Sequence, residues 1–191
     1  MRLFVALDLP RSLRERLSWM AGGLPGARWV APENYHVTLR FIGDLPGWRA
    51  EEVDQALANL RAPAFTLQLA GIGTHQKGGK VEALWAGVER SPQLEHLQTK
   101  IETALQRAGL ERERRRFVPH VTLARLGGIP EAKVAAWVAG HNLFRSDSVP
   151  VGHFTLFSSL LGKVQAAYVP EVEYDLLPAA APAGAQARPV P

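Results

Sequence analysis

The stretch HVTLRF, residues 36–41, returns almost unchanged as HVTLAR, residues 120–125. At ordinary residue frequencies, a second copy of a given tetrapeptide in a chain of 191 residues has odds on the order of 10⁻³. Duplication or function must account for it. A repeated supersecondary unit can simply fill equivalent core positions twice; the alternative is one site built from both copies.

Side chains of a strand alternate between its faces. His36, Thr38 and Arg40 should therefore point one way and Val37, Leu39 and Phe41 the other, with His120 and Thr122 sharing a face likewise. The apolar set can pack on helices. That aims two imidazoles and two hydroxyls at a cleft between two lobes.

The rest of the chain supports a repeat. Residues 2–8 read as a strand, and Pro10 opens a helix carrying Leu13, Leu17 and Met20. The motif strand follows, entered through a proline turn, then a helix marked by Val53, Leu57 and Leu60, then the strand FTLQLAGIG, 65–73. The order restarts with the strand VEALWAGV, 81–88, and a helix with Leu94, Leu97, Ile101 and Leu105. The second motif strand, a helix around Val134, Trp137 and Val138, and FTLFSSLLG, 154–162, complete it. The shared Phe-Thr-Leu sets the last strands 89 positions apart, against 84 for the histidines. The expected organisation is one domain over 1–177 with halves of roughly 1–78 and 79–177, joined through the hairpin-like GTHQKGGKVEALW. Residues 178–191, rich in Pro and Ala, read as a disordered tail.

Composition narrows the chemistry. Cysteine is absent, which removes disulfides, zinc–thiolate sites and a thiol nucleophile. The N-terminal apolar run, broken by Asp8 and Pro10, is too short for a signal-peptide core, and no apolar stretch is long enough to span a membrane. A soluble cytoplasmic protein, expected to be a monomer, follows. The net charge of +4 favours an anionic partner. Arg112, Arg114, Arg115 and Arg116 gather just before the second motif, where a phosphate-bearing ligand would be drawn; each taken singly reads equally well as a solvated loop residue.

Imidazole changes charge near neutral pH, so one histidine can accept a proton while the other donates. Displacement at phosphorus needs that pairing: a base for the attacking water, an acid for the leaving oxygen, and donors such as Thr38 and Thr122 for the non-bridging oxygens. Metal ligation by His36 and His120 lacks a carboxylate cluster or third histidine at ligand spacing, so no metal and no cofactor are expected. His75, His96, His141 and His153 read as surface or capping residues. Tyr35, Phe41 and Phe117 flank the motifs, and could stack a base or join the core.

Paired His-x-Thr-x motifs, the opening RLFVALDLP, RWVAPENYHVTLRFIGD, FVPHVTLARL and the closing FTLFSSLLG…YVPEVEYDL together resemble the two-histidine phosphoesterase superfamily over about residues 1–176. Within it the chain is similar to RNA 2′,3′-cyclic phosphodiesterases, also called 2′-5′ RNA ligases. The resemblance implies an α+β, bilobal fold with two pseudo-symmetric lobes, each an antiparallel sheet flanked by helices. It also implies metal-free opening of 2′,3′-cyclic phosphates on RNA ends or nucleotides, leaving a 2′-phosphate. By carry-over His36 becomes the proton donor and His120 the acceptor, roles that the near-symmetric sequence leaves open. Arg125 becomes a phosphate contact, with Arg40, Tyr35 and Phe117 further substrate-binding candidates. Strict alternation puts Arg125 opposite His120, so the strand must end or bulge before it. The reading from a different functional class is a module that holds RNA ends without turning them over. Only the enzyme needs two titrating histidines.

Overall fold

The computed structural model describes residues 1–160, 162 and 166–179; of the predicted tail, positions 180–191 lie outside this set. The elements run β1 (Arg2–Asp8), α1 (Arg11–Ser18), β2 (Arg28–Trp29), β3 (His36–Asp44), α2 (Gly47–Ala58), β4 (Phe65–Leu67), β5 (Leu69–Lys77), β6 (Lys80–Val88), α3 (Pro92–Arg107), β7 (His120–Arg125), α4 (Glu131–His141), β8 (Val149–Val151), β9 (His153–Leu160) and β10 (Ala167–Asp175). Ser91 caps α3 by accepting from the Leu94 N–H at 3.2 Å, with Pro92 at its first turn. Gly78 and Gly79, both at positive φ, make the tight turn of the β5–β6 hairpin.

The main sheet is antiparallel, ordered β10-β9-β1-β3-β7-β6-β5, with β2 pairing β7, while β4 and β8 form a separate two-stranded sheet. Leu13 and Leu17 of α1, Val53 and Leu57 of α2, Leu94 to Leu105 of α3, and Val134 and Trp137 of α4 join the strands' inward side chains in one core. The fold is α+β. The halves read from sequence interleave in space: β5, from the first half, lies at the far edge beyond β6 and β7, and β9, from the second, lies beside β1.

Val37 pairs with Val121, and Thr66 pairs with Pro150, each across antiparallel strands and each 84 residues from its partner. A local two-fold axis thus relates β3 to β7 and β4 to β8. This corrects the offset of 89 suggested by the shared Phe-Thr-Leu: Phe65–Leu67 corresponds to Val149–Val151, not to residues 154–156 of β9. The reading of 65–73 as one strand is corrected too, since β4 and β5 enter different sheets.

Both motif strands carry a bulge at equivalent places. Against β1, Val5 faces Arg40 and Ala6 faces Thr38, so Leu39 is the extra residue. Against β6, Leu84 faces Ala124 and Trp85 faces Thr122, so Leu123 is extra. Each bulge resets the alternation. Leu39 and Arg40 are buried consecutively, as are Leu123 and Ala124, and Phe41 and Arg125 emerge on the face of the histidines. The bulge that a site role for Arg125 requires is present.

Arg40 consequently turns into the interior and does not line the face of the histidines. Its guanidinium, 8% exposed, donates to Glu102 at 2.6 Å and to the carbonyls of Phe41 and Glu111, with Glu113 at 3.9 Å. Glu102 also accepts from the Glu113 N–H at 3.0 Å. Although burial favours the neutral acid, these hydrogen bonds and one from Gln106 hold the Glu102 carboxyl below its usual range. Breaking one side of such a pair strands a buried charge, while replacing both sides is close to neutral. Arg40→Met should cost about 3 kcal/mol or more in denaturant unfolding, and Arg40→Met with Glu102→Leu should recover most of it; a double variant no more stable than the single would remove the ion pair as the cause.

Candidate active site

With Val37 opposite Val121, continuation of the antiparallel register sets His36 across from Thr122 and His120 across from Thr38. The two histidines are therefore diagonal neighbours on one face. Each ring is held the same way. His36 Nδ1 lies 2.7 Å from the Asn34 carbonyl and His120 Nδ1 lies 2.7 Å from the Val118 carbonyl, in both cases two residues upstream. A carbonyl can only accept, so Nδ1 carries the hydrogen and Nε2 is left for chemistry. His36 Nε2 lies 3.0 Å from the Thr38 hydroxyl.

Electrostatics push both imidazoles towards the neutral form. Burial lowers the pKa of His36 most, aided by the charges of His120 and Arg125 and opposed by the Asn34 carbonyl. Burial likewise leads for His120, with Arg125 and His75 adding to it and the Val118 carbonyl opposing. Arg125, which emerges beyond the bulge on the histidine face, acts on both rings.

The surroundings of the two rings differ. His36 sits among aromatic side chains: Phe4 at 5.0 Å, Tyr168 edge-on at 5.1 Å and Phe157 at 6.3 Å between ring centroids. His120 has Trp85 at 5.9 Å. The Trp85 indole lies across Gly73, where a Cβ would come within 2.2 Å of the ring, so only glycine fits there.

The structure thus brings together His36, His120, Thr38, Thr122 and Arg125. Three candidates lie elsewhere. Arg40 is in its ion pair. Tyr35 is 2% exposed within the core, and burial raises its phenol to about 12; it lies just outside β3, before the alternation begins. Phe117 is half-buried and packs against the core. Among the other histidines, His75 is exposed, close enough to His120 to influence it, and in register through Ala83 with Arg125. His141 bonds the Trp137 carbonyl at the end of α4, and His153 bonds Asp8 at 2.9 Å. Sequence reasoning missed Phe4, Trp85, Phe157 and Tyr168 as neighbours of the histidines, because only strand register brings them there.

Comparison with known proteins identifies the family. The chain is 34% identical over 128 residues to an RNA 2′,3′-cyclic phosphodiesterase of Geobacillus stearothermophilus, spanning 64% of this chain and 41% of that protein. It is 31% identical over 175 residues to the Escherichia coli protein of the same name, covering 88% and 93%. The crystal structure of E. coli LigT complexed with 3′-AMP superposes with a TM-score of 0.75 at 27% identity, over 92% of this chain and 97% of that one. Residues 13–163 match the profile of the 2′-5′ RNA ligase superfamily, and the chain belongs to that superfamily.

Proposed function

We propose that this protein opens 2′,3′-cyclic phosphates at RNA ends by acid–base catalysis between His36 and His120, leaving a 2′-phosphate. The carrying observation is the pair of imidazoles on one face, each anchored through Nδ1 to a backbone carbonyl so that Nε2 is left to exchange protons, on His36 beside the Thr38 hydroxyl. His120 Nε2 takes the proton of a water as its oxygen bonds to phosphorus. The P–O3′ bond breaks in line, and His36 Nε2 gives its proton to O3′. Arg125 and the hydroxyls of Thr38 and Thr122 hold the non-bridging oxygens, where charge builds. With a 5′-hydroxyl in place of water, the same transfers would form a 2′-5′ linkage. Relatives named RNA 2′,3′-cyclic phosphodiesterase support the substrate class. A module that merely held RNA ends would have use for the arginines but not for two matched imidazoles. We further propose a single domain over 1–177 acting in the cytoplasm as a monomer; among the described residues no helix is long and apolar enough to cross a membrane.

Three outcomes are expected with a cyclic-phosphate-terminated oligonucleotide. His36→Ala and His120→Ala should each lower kcat by about 10²–10⁴-fold without loss of fold, and the double variant should be little worse, since the pair acts as a unit; turnover within tenfold of wild type in either single variant would remove that histidine from the mechanism. The pH profile of kcat/KM should be bell-shaped, with apparent values belonging to the pair. Burial and the Arg125 charge disfavour both imidazolium forms, so its maximum should fall below the ordinary imidazole value of about 6.5, and Arg125→Gln should move it to higher pH. A flat profile from pH 5 to 9 with chemistry rate-limiting would contradict this. Finally, the described residues contain no group of three or more His, Asp or Glu placed to hold a metal ion. Activity should survive exhaustive chelation, and loss reversed by one divalent ion would point to a metal mechanism.

A further inference from the structure

Two cross-strand pairs on the histidine face set like charges against each other. Arg28 of β2 stands opposite Arg125 of β7, and Lys77 of β5 stands opposite Lys80 of β6 across the Gly78–Gly79 turn. Register fixes the face of each. Arg28 shares that of Arg125, while its neighbour Trp29 packs on the core. Glu82 is the extra residue of a bulge in β6, so Val81 packs inward and Lys77 and Lys80 return to the face of His75 and Ala83. Ala83 pairs in turn with Arg125. His75, Ala83, Arg125 and Arg28 therefore form one row across β5, β6, β7 and β2, with the two lysines just beyond it at the hairpin tip. His75 stands close enough to His120 for their charges to repel, so the row begins at the site itself. Both lysines, both arginines and His75 are exposed, and among the described residues neither the lysines nor the arginines of these pairs enter an ion pair. Like charges directly opposite one another destabilise a sheet. Two such pairs in one corner call for an anion to offset them.

We propose that this corner is the track for the RNA backbone upstream of the cyclic end, with Arg28, His75, Lys77 and Lys80 holding the phosphodiesters that precede the terminal nucleotide. The protein is then built for RNA chains and not for free cyclic nucleotides. The inference rests on the phosphodiesterase reading. The sign of charge across the face gives the chain its direction. Beyond His36, Asp8 stands in register with the catalytic ring and is bonded to His153 at 2.9 Å, and Asp175 stands in register with His153. Phosphates leaving the histidine pair meet carboxylates along β1, β9 and β10, and unpaired cations along β7, β2 and the β5–β6 hairpin. The arginines before the second motif are a weaker rival, since Arg115 is bonded to both carboxylate oxygens of Glu113. Phosphate contacts carry no sequence, so the track holds any RNA by its backbone alone.

The test compares a 2′,3′-cyclic mononucleotide with an RNA oligonucleotide ending in the same cyclic nucleotide. Wild type should show the lower KM for the oligonucleotide, an advantage that salt erodes with a log–log slope of about 0.7 per phosphate held. Lys77→Gln combined with Lys80→Gln should raise KM for the oligonucleotide about tenfold or more and flatten its salt dependence, and should leave the mononucleotide as wild type handles it. Lys80→Glu turns a repelling pair into an attracting one, so its thermal midpoint should stand at or above that of wild type while its oligonucleotide KM rises; damage to the fold cannot produce both. Equal losses on the two substrates would overturn the track. So would equal wild-type KM values for them, or a chain-length advantage that survives both lysine variants and vanishes on combining Arg112→Gln, Arg114→Gln and Arg116→Gln. Wild-type protein that turns over neither substrate would instead overturn the phosphodiesterase reading itself.

Discussion

One backbone pairing, Val37 with Val121, is what the catalytic arrangement depends on. The two motif strands meet at this pair, after which β3 continues along β1, and β2 takes over the edge of β7. Because the partners are equivalent residues of a repeat, the pairing creates a local two-fold and sets each histidine diagonal to the other. A slip of one residue would send one histidine to the opposite face. Burial resists that slip: Val37, Leu39, Val121 and Leu123 are all 3% exposed or less, and their core positions and the histidine positions are alternatives of the same register.

Burial also sets the state of the pair. Desolvation and the nearby Arg125 guanidinium disfavour the imidazolium of both rings, while the carbonyls of Asn34 and Val118 favour it. The balance leaves both rings below the ordinary imidazole value, with burial as the leading cause. The carbonyls also select the Nδ1–H tautomer, so proton exchange is confined to Nε2. In the reaction proposed above, a phosphate anion would oppose the Arg125 charge and favour imidazolium where an acid is needed.

Much of this was legible in the sequence. Alternation from the histidine outward correctly pairs His36 with Thr38 and His120 with Thr122, and apolar spacing locates the four α-helices of the described residues. It fails beyond Leu39, because a bulge is a property of two strands in register and leaves no mark in one of them. Arg40 therefore reads as a substrate contact when it is a buried ion-pair partner, and Phe41 reads as core when it faces the site. At Arg125 the same irregularity is inferable, since a site arginine on the wrong parity demands a bulge. Tyr35 and Phe117 mislead because an aromatic beside a motif has equal chemical reason to fill the core. The Phe-Thr-Leu match misleads because three common strand residues recur without structural equivalence.

A duplicated strand pair gives a symmetric acid–base couple, yet opening a cyclic phosphate is directional, with water on one side and a ribose oxygen on the other. Direction must come from residues where the copies diverge. Three divergences cluster on one side of the axis: Phe41 against Arg125, Phe4 against Ala83, and Arg40 against Ala124. The last serves the first. Arg40 grips the Glu111 carbonyl and Glu102, and Glu102 holds the Glu113 N–H, so the segment that presents Arg115 to Phe41 is tied to the interior of β3. Ala124 has no such reach, and its neighbour Arg125 stays exposed on the histidine face. The buried ion pair under one motif and the exposed cation of the other are two consequences of the same one-residue bulge, filled differently.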